Sequence, residues 1–440
     1  TCALPILLDT LGVVLAASGL EPRVKPLVDS VIDAGGKPES TVLGMGQRVP
    51  AAQAAFANGA MAHCLDFDDR TAWGAHSGSS AIPAVLALAE RKGSVSGKQL
   101  ITAIALAQDM FIRLRCNVGW KQDWNLSPML GVFSAALASA HILRLDRAQA
   151  AHALGIASMQ SSGTMETIYA PDCDLRGMYA GWAAQGSVTA ALLAERGITG
   201  INTLFEGKAG IFKVYFGGQY DREKILQGLG QDFMGAHMLY KPWPAVGISH
   251  TYIHATIELM KEHRLTPADV AKIRVWVGAF QHEMCHPIAE RRAPATPLNA
   301  KFSLPYCVAA AVLDGRFSLW SFSDEAVRRP EIAALYEKID AHETPACRGD
   351  DPQFEKKSSG SRGFVEVEVL MKDGRRDQIR IDVPLGHPSR ALTWDELHDK
   401  FLDCAKQAPR ISTAAAEAAF ADIKNLQAVA DINTIVGRLH

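Results

Sequence analysis

The stretch Asn58-Gly-Ala-Met-Ala-His-Cys-Leu-Asp-Phe-Asp-Asp-Arg-Thr-Ala-Trp-Gly-Ala-His-Ser-Gly carries the residue types best suited to chemistry. Asp66, Asp68 and Asp69 stand a few residues ahead of His76, in a small-residue segment where a core helix is expected to run out into a loop. A carboxylate that orients or charges an imidazole is raw material for proton transfer, because histidine titrates near neutral pH. The structural alternative is that Asp66 to Asp69 cap the end of one helix and His76 begins the next.

Other candidates lie further along. His250 and His254 stand four apart after Lys241-Pro-Trp-Pro-Ala-Val-Gly-Ile-Ser, a spacing that puts both on one helix face. No carboxylate ligand accompanies them, so an acid/base role for His250 is the better functional expectation, against that of a satisfied boundary histidine. Arg176, after the loop Tyr169-Ala-Pro-Asp-Cys-Asp-Leu, has the planar fork that clamps a carboxylate, although a lone arginine near a helix start commonly faces solvent. Lys301-Phe-Ser-Leu-Pro-Tyr306 pairs a cation with a phenol that either donates a hydrogen bond or simply packs in a core. His282-Glu-Met-Cys-His286 is a literal H-E-x-x-H, which binds zinc only on a helix. It follows a strand pattern, and Pro287 disfavours helical geometry at His286. Neither a G-x-G-x-x-G after a strand nor a G-x-x-x-x-G-K-S/T occurs, so no nucleotide cofactor is expected.

The elements that must hold these groups follow from the rest of the chain. At 440 residues, two domains are expected. With 48% apolar and 21% charged residues the chain reads as globular, and a net charge of −2 gives no general footprint for nucleic acid or membrane. Eight scattered cysteines without a C-x-x-C pair suggest free thiols of a reducing compartment. Residues 2–20 read as a buried helix interrupted by Asp9, no run is expected to span a bilayer, and a soluble, cytoplasmic protein is expected.

Up to about residue 240 the pattern is helical and rich in alanine, with helices expected over Ser80–Lys92 (Pro83 in its first turn), Lys98–Arg115, Gly131–Leu145, Arg147–Met159 and Gly181–Glu195. So many small residues imply close helix–helix approach. From about 243 to 388 the texture is α+β: Lys272 to Gly278 alternates as a strand, and Lys372-Asp-Gly-Arg sits between two alternating runs as a hairpin turn. Thr393-Trp-Asp-Glu is a capping box that restarts helix, and residues 344–362 read as a surface loop. The fold class expected is therefore mainly α: a large helical domain from both chain ends, residues 1–242 and 389–440, with a smaller α+β domain over 243–388.

Taken together, several segments resemble the MmgE/PrpD family, which includes 2-methylcitrate dehydratase, cis-aconitate decarboxylase and iminodisuccinate epimerase. The resemblance runs along nearly the whole chain. It rests on Leu8-Asp-Thr-Leu-Gly, the stretch from Asn58 to Asp69, Met178-Tyr-Ala-Gly-Trp-Ala-Ala, Phe205-Glu-Gly-Lys-Ala-Gly, Lys241-Pro-Trp-Pro with His250, Lys301-Phe-Ser-Leu-Pro-Tyr and Leu313-Asp-Gly-Arg-Phe. It implies a homodimer of two-domain subunits, with the α+β domain as a lid over the active site, and chemistry without metal or other cofactor. It also implies catalytic roles for Asp66, His76, His250 and Tyr306.

Departures from the family pattern bear on the substrate. Arg176 stands where a lysine is usual and Tyr179 where a histidine is usual; both, with Lys301 and Asn125, are candidate substrate-binding residues. Ala72 and Asn125 also replace expected histidines. Arginine does not readily give up a proton, so a carboxylate clamp is the expected role of Arg176. The expected activity is that of a lyase, dehydratase or decarboxylase, moving a proton at a carbon beside a carboxylate of a small di- or tricarboxylic acid. The rivals are an epimerase of a dicarboxylate such as iminodisuccinate, a zinc hydrolase using His282 and His286, and a non-catalytic carboxylate-binding protein.

Overall fold

The computed structural model describes residues 3–71, 74–121, 123–169, 173–278, 284–286, 288–343 and 364–440. The chain divides into two compact units, Thr1–Met238 with Thr393–His440, and Leu239–Leu392.

The first unit is built from long helices: α1 Ala3–Leu20, α2 Val24–Asp33, α3 Ala51–His63, α4 Gly78–Lys92, α5 Gly97–Cys116, α6 Leu126–Leu143, α7 Arg147–Ala157 and α8 Leu175–Glu195. Small side chains let them approach closely, as the alanine-rich sequence implies. A Cβ added at Gly59 of α3 would lie 2.9 Å from the Gly181 Cα of α8, and one at Gly181 would lie 2.5 Å from the Phe56 carbonyl oxygen. The crossing is therefore backbone against backbone. It brings the C-terminal end of α3, with His63, beside the N-terminal part of α8, with Tyr179.

Helix starts differ from the expected ones where a cap lies upstream. Helix α6 begins at Leu126 because the Asn125 side chain accepts the Ser127 N–H at 3.2 Å. Helix α4 begins at Gly78, so Pro83 lies inside it and not in its first turn. The helix Trp394–Ala405 starts with the capping box of Thr393 and Glu396 and packs on α1. There, Gly12 faces Phe401 and Cys404.

The expectation about membrane-spanning runs needs correction. Helices α1 and α6 are each 18 residues long and apolar enough to cross a bilayer by length and composition. However, 72% of the first and 89% of the second is buried inside the protein, as core helices are. Within α1 the buried Asp9 carboxylate is paired with Lys400 Nζ at 2.5 Å.

The second unit carries a four-stranded sheet of β1 Val270–Val277, β2 Ile339–Glu343, β3 Val365–Met371 and β4 Arg376–Ile381. The order is β2-β1-β3-β4; β1 and β2 are parallel, and the other pairs are antiparallel. The β3–β4 pair is the hairpin expected around Asp373-Gly374, with Gly374 at φ 89° and the Met371 N–H donating to Arg375 O at 2.8 Å. The helices His250–Glu262 and Leu304–Asp314 pack against each other, and their side chains share a core with β1 and β3 that includes Tyr252, Tyr306, Val275 and Val367. The loop expected over 344–362 lies outside the described residues.

The α3–α8 crossing leaves no room for a methyl group. Gly181→Ala is expected to lower stability by about 1–3 kcal/mol through overpacking, read as a lower midpoint of urea unfolding. An unchanged midpoint would show that the two helices can separate at no cost.

Candidate functional site

Helix α3 ends at His63, and the chain then turns through a tightly bonded loop. The Asp66 N–H donates to His63 O at 2.9 Å, and Asp66 sits at φ 52°, a left-handed conformation that aspartate tolerates better than most residues. Phe67 O accepts from Lys400 Nζ at 2.9 Å, and the same ammonium lies 3.8 Å from the Phe67 ring centroid. Further on, Thr71 N–H donates to Ala75 O at 2.9 Å, and Thr71 Oγ1 donates to Gly74 O at 2.7 Å. His76 is anchored by its own N–H, which donates to Ser127 Oγ at 3.1 Å.

Two fully buried carboxylates occupy the inside of this loop. The Asp69 Oδ2 accepts the N–H groups of Gly78, at 3.2 Å, and Ser77, at 3.4 Å, at the start of α4. It thus serves the first turn of that helix as an N-terminal anion. A Cβ at Gly78 would fall 2.2 Å from Asp69 Oδ1, so glycine makes room for the carboxylate. Asp68 does something different. Its Oδ2 lies 2.9 Å from His63 Nδ1 and 3.2 Å from His76 Nδ1.

The protons on these rings follow from their partners. His76 Nδ1 is also 2.6 Å from the backbone oxygen of Asp69. A carbonyl oxygen and a carboxylate oxygen only accept, so His76 Nδ1 carries a proton and its Nε2 is the atom left to exchange one. By the same reasoning His63 Nδ1 donates to Asp68. The ring centroids of His63 and His76 are 4.7 Å apart, and the Tyr179 ring lies 4.4 Å from that of His63. His63 and Tyr179 are buried, whereas the His76 side chain keeps 15% of its surface exposed.

Burial raises both carboxyls, and their neighbours decide the outcome. For Asp68, desolvation raises the pKa, but His63 and His76 outweigh it and hold the group well below the usual carboxylate range. For Asp69, burial, then the charges of Asp68 and Asp9, pushes the carboxyl up to about 7. Burial and the charge of Asp68 push the Tyr179 phenol far up, so it stays protonated.

His63, Asp68 and His76 are close enough to invite a metal, with ligand atoms within 4.8 Å of one another. An ion there would have to meet His76 at Nε2. The 2.6 Å contact to a carbonyl places a proton on His76 Nδ1, so that nitrogen has no lone pair to offer.

The loop thus corrects the choice of orienting carboxylate. Sequence reasoning favoured Asp66 and left Asp68 and Asp69 to shape the loop; the structure puts Asp68 on His76 and Asp69 on the helix start. Asp66 lies near enough to Tyr179 for its charge to act on the phenol. Arg176 is half-buried in the first turn of α8, and its charge also acts on Tyr179. Asn125 is spent largely on capping α6, and its Nδ2 lies 3.5 Å from Thr167 Oγ1. Ala72 lies outside the described residues.

The other candidates belong to the second unit. His250 begins its helix buried, and its Nε2–H donates to Ala245 O at 2.9 Å, which leaves Nδ1 as its basic nitrogen. His254 Nε2 accepts from Arg390 Nη2 at 3.1 Å, so the pair is not poised to share a metal through those nitrogens. Tyr306 is completely buried, donates to Ser321 O and packs on Phe322. Its hydroxyl is thus engaged by a backbone oxygen inside the core of the second unit. Lys301 is buried at the end of Pro297–Lys301. His282 lies outside the described residues, and His286 is exposed and outside any helix.

Sequence reasoning missed His63, Asp68 and Ser127. The signal for the first two was the five-residue step from His63 to Asp68 across a helix end, where a turn can fold one back on the other. Ser127 gave none, because its distance from His76 along the chain is 51 residues.

The raised Asp69 carboxyl has a pH signature. A group whose folded pKa exceeds its unfolded value contributes stability that is fully present below the unfolded value and is lost as pH rises through the folded one. Here that window runs from about 4 to about 7. Asp69→Asn keeps an oxygen for the Gly78 N–H and removes the titration. Urea unfolding should therefore show the variant losing less stability than the parent between pH 4 and 8, by on the order of 1–4 kcal/mol. Parallel pH dependences would contradict the assignment.

Comparison with known proteins places this arrangement. Residues 3–223 match the MmgE/PrpD N-terminal domain and residues 243–438 match the MmgE/PrpD C-terminal domain. The 2-methylcitrate dehydratase of Salmonella typhimurium is 29% identical over 433 residues, covering 92% of this chain and 85% of that protein. The cis-aconitate decarboxylase of Homo sapiens is 26% identical over 420 residues, covering 90% and 81%. The cis-aconitate decarboxylase of Aspergillus terreus is 27% identical over 367 residues, covering 78% and 73%. With both domain models matched in order along almost all of its length, the chain belongs to the MmgE/PrpD family.

Proposed function

We propose that this protein acts on a small tricarboxylate, moving a proton at a carbon next to a carboxylate, with His76 Nε2 as the atom that exchanges it. As an MmgE/PrpD protein whose relatives are dehydratases and decarboxylases, it is a lyase. The observation that carries the proposal is the double acceptor on His76 Nδ1, Asp68 Oδ2 at 3.2 Å and Asp69 O at 2.6 Å. Together they fix the tautomer, leaving Nε2 as the atom that exchanges a proton, on a side chain that keeps 15% of its surface exposed.

In dehydration, a base removes the proton beside a carboxylate and an acid protonates the leaving hydroxyl; in decarboxylation, an acid protonates the carbanion left by carbon dioxide. Both pass through a state with negative charge spread onto a carboxylate. Arg176, in the first turn of α8, adds a fixed cation to the positive end of that helix, a combination suited to holding such a charge. No step in this scheme calls for a metal. The homodimer belongs to the same reading.

Proton NMR in deuterated water, with 2-methylcitrate, citrate, cis-aconitate and iminodisuccinate offered separately, tests the reading. Water loss or carbon dioxide loss is the expected result, at a rate that a chelator leaves unchanged. Solvent deuterium uptake into iminodisuccinate without net loss would instead establish an epimerase. His76→Gln should lower kcat by about 10²–10⁴-fold with a smaller change in KM, the range expected on losing a general acid or base. Full activity in that variant would overturn the assignment. The same measurement on His250→Gln reports whether the second unit supplies a group to the reaction.

A further inference from the structure

We propose that His63 is a positioning residue for His76: the two imidazoles share one oxygen of Asp68 and behave as a single unit that holds one proton, so that His63 sets when His76 is charged. The proposal rests on the reading of His76 as the proton carrier and adds to it a residue that touches no substrate.

Three observations support it. Asp68 Oδ2 accepts the His63 Nδ1 proton at 2.9 Å and lies 3.2 Å from His76 Nδ1, whose proton it shares with Asp69 O, while Asp68 Oδ1 is buried and has no hydrogen-bond partner among the described residues. One oxygen therefore compensates both rings. The rings meet edge-on with centroids 4.7 Å apart, so two imidazolium ions would repel strongly in a site with little water. Finally, His63 is covered by Tyr179 and is 6% exposed, so its ring faces the array and not open solvent.

The surrounding charges agree with one proton. Lys400 offsets Asp9 in a buried pair. Asp69 sits beside Asp68 and Asp9 and is the carboxyl that takes a proton first, being pushed up to about 7 and so only part ionised near neutral pH. Asp66 and Arg176 act on the Tyr179 side with opposite signs, and Tyr179 itself remains neutral. Arg115 reaches the loop at Gly74 O, at 3.1 Å. Asp68 is thus the anion that both rings face, and removing His63 hands it entirely to His76.

The test uses the full chain labelled with ring-15N histidine, the two resonances being assigned with His76→Gln and His63→Gln. Both Nδ1 atoms are expected to be protonated in the neutral forms, and the two rings to titrate as a coupled pair in two steps. In His63→Gln the His76 midpoint should move up by about 0.5–1 pH unit, and the kcat–pH profile should move with it while KM stays constant. A His76 midpoint and profile unchanged by His63→Gln would overturn the proposal. If that variant does not fold, the parent protein decides alone: independent single-step titrations, or an unprotonated Nδ1 on either ring, overturn it. If no tricarboxylate is turned over, the proposed function fails, yet the NMR titration still tests the shared proton.

Discussion

Burying a carboxylate anion is costly unless charge and hydrogen bonds meet it, and Asp68 imposes that condition on everything around it. The anion is met by two ring N–H groups, one at the end of α3 and one at the start of α4. Both helices must therefore end where they do. The intervening loop must also bend back sharply enough to bring residues 63, 68 and 76 together, which it does through left-handed conformations at Asp66 and Ala75. The strained backbone positions, the paired histidines and the partial exposure of one ring all follow from that single compensated charge.

The helices that frame the loop are fixed by contacts of another kind. Gly59 and Gly181 let α3 and α8 touch along their backbones, and Gly131 brings α6 against Ser80 of α4. Close packing of this sort transmits small displacements, because there is no side chain to absorb them. The ring of Tyr179 lies on His63 because its helix cannot stand further away. With Tyr179 on His63 and Asp68 fully buried, the electrostatic coupling between Asp68 and its partners is stronger than it would be in water.

Much of this was legible in the sequence, and the residues show why the rest was not. Period and capping residues announced the long helices, the Asp373-Gly374 hairpin and the Thr393 capping box, since these are local signals. The stretch from Asn58 to Gly78 announced a cluster of carboxylates and histidine for the same reason. The identity of the orienting carboxylate was not legible: Asp66, Asp68 and Asp69 differ only by a turn, and left-handed backbone at Asp66 decides which of them points inward. Asn125 looked like a binding residue and proved to be a helix cap, as asparagine before a helix commonly is. The partner of Tyr306 was not legible either, because its hydroxyl donates to Ser321 O, which a different element supplies. Ser127 was invisible because its contact is long in sequence.

One contact also sets an order of events. Phe67 O, in the middle of the loop, is held by an ammonium group 333 residues further along, on the helix Trp394–Ala405. During synthesis the loop emerges early, and its anchor arrives only after the whole second unit has been made. Until then Asp9 lacks its Lys400 ion pair, and α1 lacks the helix that packs on it. A ribosome-bound chain short of residue 400 thus has its helices but not its site. Assembly of the active loop is a late event, and the long wait gives an interval in which exposed α1 surface must be kept from aggregating.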